Sequence, residues 1–181
     1  MMRLDLFESN GFDRGASRVK ELFWIACGAP LLASWVPGAA WRVRILTLFG
    51  ASIGRGVVIK PGVHVKFPWR LTIGNHCWVG ENVWIDNLAQ VSLGDHACVS
   101  QGAYFCTGSH DWSKVTFDLI VKPIEIGSHA WVGAMSRVAP GVVIGDGAVL
   151  SLGSVAASSL EPWTINAGHP AVRIKERPRA A

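Results

Sequence analysis

The four cysteines, Cys27, Cys77, Cys98 and Cys106, form no CxxC pair and no zinc-finger spacing. That argues against a disulfide scaffold or zinc ribbon and leaves reduced thiols in a cytoplasmic protein as the expectation. No secretory leader is expected, because Asp5, Glu8, Asp13 and Glu21 precede the first apolar run. An unbroken membrane span is lacking too. Residues 22–41 are the most apolar stretch, yet Pro30, Pro37 and two glycines interrupt them, whereas a span needs about 20 continuous apolar residues. We read the stretch as a broken amphipathic helical segment that packs on the main domain, with the inner face of a membrane as the alternative. Charge is sparse, at 17% of residues with a net +4, and the cations gather at the two ends: Arg3, Arg14, Arg18, Lys20, Arg42 and Arg44, then Arg173, Lys175, Arg177 and Arg179. No nucleic-acid motif accompanies them, so a phosphorylated cofactor or an anionic membrane surface is the expected partner class, not nucleic acid.

What the chain has in abundance is a period of six. An aliphatic or aromatic residue recurs at Ile53, Ile59 and Val65, then Ile73, Val79 and Ile85, then Leu93, Val99 and Phe105; after a break the series resumes at Ile126, Val132 and Val138 and ends at Ile144, Leu150 and Ala156. Glycine often takes the second place of the hexad (Gly54, Gly74, Gly94, Gly127), and a small or β-branched residue takes the fifth (Val63, Cys77, Ala97, Ala130, Ala148). This period is neither helical nor a simple strand alternation. It fits a triangular prism in which each hexad is one short strand and a turn, and three hexads close a coil. The first residue points inward, the fifth lies beside it, and the second-place glycine allows positive φ at the corner. A coil cannot bury its own upper and lower edges, so coils must stack, and five of them at about 4.8 Å each make a prism roughly 24 Å tall. The expected fold is all-β, a parallel β-helix of about five coils over residues 51–160. A helical segment over residues 1–50 precedes it, and a short tail over residues 161–181 follows. The first three coils start twenty residues apart, which places two extra residues at one corner near Leu71-Thr72 and Val91-Ser92.

One large interruption, residues 107–123, breaks the repeat and holds Thr107-Gly108-Ser109-His110-Asp111-Trp112. Excursions from rigid scaffolds carry chemistry, and a histidine is the default base for a hydroxyl proton. His76, His96 and His129 each take the fourth place of a coil's first hexad and are expected to stack as turn residues in a corner column, not to bind metal. Trp78, Trp84 and Trp131 take sixth places and point outward, which suggests a buried subunit face or a stacking platform.

The stretch Asp86-Asn87-Leu88-Ala89-Gln90-Val91, with Ser100-Gln101-Gly102-Ala103-Tyr104-Phe105-Cys106 and the excursion motif, resembles the hexapeptide-repeat acetyltransferases of colanic-acid and related exopolysaccharide biosynthesis, within the maltose, galactoside and nodulation acetyltransferase group. The resemblance runs from about Arg14 to the tail at Gly168-His169-Pro170-Ala171. It implies a left-handed prism, a homotrimer with active sites between subunits, acetyl-CoA as donor, no metal, and a sugar acceptor, lipid-linked in the exopolysaccharide case. It makes His110 the catalytic base and aligns Asn82 with an acceptor-binding asparagine; Asp86, Asn87 and Trp112 are further acceptor candidates. Trp131, Ala134, Leu152, Ala157, Ser158 and Arg173 become the cofactor candidates. Ala157-Ser158 stand where relatives commonly carry Thr-Lys, so phosphate pairing is expected to shift to Arg173 or Lys175. Asp111 or a backbone carbonyl would orient the imidazole. Two other readings stay open on residues alone: a γ-type carbonic anhydrase, which bound metal would reveal, and a non-catalytic scaffold, which has no need of a histidine on this loop.

Overall fold

The protein, seen in a computed structural model, is described over residues 2–7, 9 and 11–179; Glu8, used above in the leader argument, lies outside the described residues. The six-residue period becomes a three-faced parallel β-solenoid. One face stacks Ser52–Ile53, Leu71–Ile73, Val91–Leu93, Ile124–Ile126 and Val143–Ile144 in order. The second stacks Val58–Ile59, Trp78–Val79, Cys98–Val99, Trp131–Val132 and Val149–Leu150, and the third His64–Val65, Trp84–Asp86, Tyr104–Cys106, Arg137–Val138 and Val155–Ala156. Pairing is parallel and in the hexad register, with Val79 opposite both Ile59 and Val99 on adjacent coils. First-place residues fill the interior: from Ile59 to Ala156 all are buried, and only Ile53, in the opening strand, is partly exposed. Most fifth-place residues are buried beside them, including the hydroxyls of Ser136 and Ser154.

Two corner details differ from the reading of the sequence. Positive φ falls on the fourth place, not the second: Gly56, His76, His96, His129 and Gly147 form one corner column, and Gly62, Asn82, Gly102, Met135 and Gly153 form the next. The second-place glycines serve another need. A Cβ on Gly133 would lie 2.7 Å from the Leu150 carbonyl oxygen of the next coil, nearer than real atoms approach, so these glycines let coils close on one another. The two extra residues of the early coils lie upstream of the expected site. Leu71 and Val91 already begin strands, and the surplus is spent at residues 67–70 and 87–90.

The prism also runs past its fifteenth hexad. Leu160 bridges to Ile144 on the first face, and Thr164–Gly168 extends the second face before Ala171–Glu176 folds back antiparallel. The tail therefore starts a sixth turn and closes that end.

Three short helices close the other: α1 (Arg18–Phe23), α2 (Ala29–Ala33) and α3 (Ala40–Leu48). A π-helical turn, Trp24–Gly28, joins α1 to α2 without a break, and Pro30, which has no N–H to give to the preceding turn, stands just beyond it. Trp24, Leu32 and Leu46 enter the core of the prism, and the Trp24 indole N–H donates to the Val65 carbonyl at 3.1 Å. The buried Arg42 donates from Nη2 to the Ser34 and Val36 carbonyls at 2.6 and 2.7 Å and also bonds Leu32 and Gly38, pinning the turn between α2 and α3.

The packing sets a paired expectation on neighbouring leucines. Leu150 is fully buried and Leu152 is 74% exposed. Leu150→Ala should lower stability by about 2–5 kcal/mol, and Leu152→Ala by under about 0.5 kcal/mol, as read by chemical denaturation. Equal losses would contradict this inward register.

Candidate active site

The excursion is a hairpin. Gly108–His110 pairs antiparallel with Leu119–Val121, with His110 opposite Leu119, and the Lys122 N–H donates to the Thr107 carbonyl at 2.9 Å to close its base. Its tip is held by polar contacts. The Asp111 carboxylate accepts from the Ser113 N–H at 3.0 Å and from the Ser113 hydroxyl at 2.5 Å, bonds that hold it below the usual carboxylate range. Lys114 pairs with Asp118 at 2.7 Å. Asp111 is thus committed to its own turn and does not reach the imidazole.

The carbonyl of Phe117 does. His110 Nδ1 lies 3.0 Å from it, and the Phe117 ring stacks on the imidazole with centroids 4.3 Å apart and planes 2° apart. Phe117 holds φ at +49°, a region seldom used by a bulky residue; this backbone conformation accompanies the alignment of both carbonyl and ring with His110. Phe7 meets the imidazole edge-on at 5.6 Å, and the Arg3 N–H donates to the Val115 carbonyl, so Arg3 and Phe7 lie against the hairpin. A carbonyl oxygen can only accept, so in the neutral ring Nδ1 carries the proton and Nε2 presents its lone pair. A half-buried, oriented imidazole with Nε2 as its basic atom is suited to taking a proton from a hydroxyl.

Beneath the hairpin lies the corner between the third and first faces. Asn87 is fully buried there: its side chain accepts from the Phe67 N–H at 2.9 Å and donates to the Phe67 and Arg70 carbonyls at 2.7 and 2.9 Å. Expected as an acceptor contact, Asn87 instead holds the corner together. Thr107, one coil on and also buried, donates to the Asp86 carbonyl at 3.0 Å and accepts from the Ala89 N–H. Asp86 pairs with Lys66 at 3.0 Å and faces a recess of ≈330 Å³ shared with His64 and Trp84. The Tyr104 hydroxyl is 3.3 Å from Asp86; burial first, then Cys106 and Asp86, pushes that phenol well above its ordinary range. Asn82 sits at the far end of the Trp84–Asp86 strand, at the corner between the second and third faces, in the left-handed conformation. Trp112 stands at the hairpin tip, 82% exposed.

The cofactor candidates divide between two recesses. Trp131, Ala134 and Leu152 line a groove of ≈650 Å³ on the second face, with Ser100 and Arg177 beside them. Ser158 and Arg173 line a separate recess of ≈440 Å³ near the last turn, and Ala157 lies exposed next to Ser158. Arg173 is already paired with Glu161, at 3.0 Å, and with Glu176. Arg177, counted above only among the tail cations, reaches the groove; its Nη1 donates to the His129 and Gly147 carbonyls at 2.8 and 3.0 Å. Phe117 and Arg177 are among the residues at these sites that the pattern of the sequence did not single out.

His76, His96 and His129 do form a column. Successive rings are 5.2 and 5.1 Å apart with planes 16° and 2° from parallel. Lone pairs lie in the ring planes, so those of near-parallel stacked rings do not converge on one ion. Among the described residues no group of three or more histidine, cysteine or acidic side chains could hold a metal.

Comparison with known proteins agrees with this architecture. The family model described as the hexapeptide repeat of succinyl-transferase matches residues 123–155. The chain is 42% identical over 166 residues to a protein provisionally named a colanic acid biosynthesis acetyltransferase in Escherichia coli K12, covering 91% of each. It is 26% identical to the galactoside O-acetyltransferase of the same organism, over 75% of this chain and 68% of that one. Among solved structures, a hexapeptide-repeat acetyltransferase of Vibrio cholerae complexed with acetyl coenzyme A superposes with a TM-score of 0.83 at 23% identity, over 97% of both chains. Galactoside acetyltransferase in complex with coenzyme A superposes at 0.77 with 22% identity, over 87% of this chain and 80% of that one.

The imidazole geometry is open to direct measurement. In ¹⁵N NMR, neutral His110 should show a protonated Nδ1 and a bare Nε2. The opposite tautomer would contradict the Phe117 contact.

Proposed function

The chain belongs to the hexapeptide-repeat acetyltransferases, as an O-acetyltransferase, and from that premise we propose that it moves the acetyl group of acetyl-CoA directly onto a sugar hydroxyl with His110 as general base. The observation that carries the reading is the imidazole fixed through Nδ1 by the Phe117 carbonyl, with Nε2 left as its basic atom. In the proposed reaction Nε2 takes the hydroxyl proton as the sugar oxygen attacks the thioester carbonyl. The tetrahedral oxyanion collapses, the carbon–sulfur bond breaks, and the departing CoA thiolate takes the proton back from the imidazolium. Each step balances without a covalent enzyme intermediate.

For the donor, the relative solved with acetyl coenzyme A supports a CoA thioester. We assign its pantetheine arm to the apolar groove of Trp131, Ala134 and Leu152, where Arg177 is the cation beside the groove. Ser158, Ala157 and Arg173, in or beside a different recess, would join the same ligand from a neighbouring subunit of a homotrimer, which is the assembly we propose. Outward Trp78, Trp84 and Trp131, each near half exposed, suit such an assembly. For the acceptor, the recess of Asp86 and Trp84 offers a carboxylate and an aromatic face below the hairpin, with Asn82 and Trp112 reserved for contacts made in the assembled enzyme. The likeness to the colanic acid protein favours a sugar of an exopolysaccharide precursor, lipid-linked and met at the inner membrane face of the cytoplasm. No metal takes part in the reaction as proposed.

The test is His110→Ala, assayed by release of CoA thiol in the presence of a sugar panel. The variant should keep its melting temperature and oligomeric state and lose about 10²–10⁴-fold in kcat, the range for a general base. Undiminished turnover in a folded variant would remove His110 from the chemistry.

A further inference from the structure

The α1–α2 rod, continuous through its π-helical turn, spans residues 18–33. Its inward line, Glu21, Trp24, Gly28 and Leu32, is buried against the first coil. A helix that is apolar all round belongs in a core, yet this one is apolar on both sides and covered on one. Val19, Leu22, Phe23, Ile25 and Leu31 are each more than half exposed, and Trp35 and Val36 in the turn beyond α2 continue the surface. No charged residue occurs from Leu22 to Trp41. The acid of the rod, Glu21, is turned inward to Arg14. Arg18, at the start of the rod, and Arg44, on α3, are exposed and have no carboxylate partner among the described residues.

We propose that this face docks the protein onto an anionic lipid bilayer, with the rod lying flat in the headgroup region. Length excludes spanning: sixteen residues of helix reach about 24 Å and none of the described helices is long and apolar enough to cross. Flat insertion gives each exposed group a partner. The aliphatic side chains enter the acyl boundary, the Phe23 and Trp35 rings sit at headgroup depth, and Arg18 and Arg44 meet lipid phosphates. A second copy of the chain is the less suitable occupant: the trimer proposed above draws on the outward tryptophans of the prism faces, and a separate two-fold contact through this patch would bring the unpaired arginines of both copies together, whereas anionic lipid neutralises them. The proposal goes beyond the reaction assigned above and does not depend on the acceptor's identity.

Co-sedimentation of the full chain with vesicles tests it. The protein should pellet with vesicles of phosphatidylglycerol mixed into phosphatidylcholine and bind pure phosphatidylcholine about tenfold more weakly, that binding to anionic lipid falling as salt rises. Phe23→Asp combined with Trp35→Asp should lower binding to the anionic vesicles by about tenfold or more, with the melting temperature and oligomeric state retained. Arg18→Gln combined with Arg44→Gln, which leaves the apolar face intact, should bring binding to anionic and neutral vesicles close together. Acetyl transfer to a water-soluble acceptor should be unchanged in both variants, so failure here is distinct from failure of the reaction assignment. Two results would overturn the proposal: absence of sedimentation with either vesicle, or dissociation of the assembly in the aspartate variant, which would make the face a subunit contact.

Discussion

The structure depends on where its backbone hydrogen bonds go. A strand of two or three residues cannot satisfy itself, and here each N–H looks to the neighbouring coil. Val58 donates to Cys77 at 2.9 Å, Trp78 to Ala97 at 3.0 Å, Cys98 to Ala130 at 2.9 Å and Trp131 to Ala148 at 2.8 Å. The donors climb the second face like rungs, so no coil is stable without its neighbours, and the two end coils are the vulnerable ones. Both ends are closed by elements outside the hexad pattern. The Ala171–Glu176 strand folds back over the last turn. At the other end the helices lay Trp24 and Leu32 on the first coil, with Arg42 holding the turn between them through four carbonyls.

How far the sequence can be read follows from which contacts are periodic. Inward residues were legible because burial repeats every six positions, and Val79, Val99, Val132 and Leu150 lie within it on one face. The turn histidines were legible for the same reason. The role of glycine was not: a hexad contains two positions that favour it, one through positive φ and one through the approach of the next coil, and only coordinates separate them. Asn87 shows a different limit. An amide beside a corner suits a sugar or the corner's own backbone equally well in a sequence, and its complete burial decides for the backbone. The sixth turn was hidden because Thr164–Gly168 follows the stacking without following the hexad.

At the site, the imidazole itself was readable from its motif, and what holds it was not. Phe117 sits seven residues downstream in a conformation that its side chain gives no reason to expect. The grip on His110 is thus a property of the hairpin's folding. The candidate donor-binding residues were readable one by one, but their separation into two recesses is a fact of three dimensions. It becomes intelligible if one ligand is completed by two subunits.

The closed base of the excursion carries a wider consequence. Thr107 and Lys122 are joined across its foot, so the rungs above and below continue as though the intervening residues were not there. Lengthening or shortening the tip would leave the stacking register of every coil untouched. Lineages sharing this scaffold are therefore free to reshape the hairpin that carries His110 while inheriting the stacked coils unchanged.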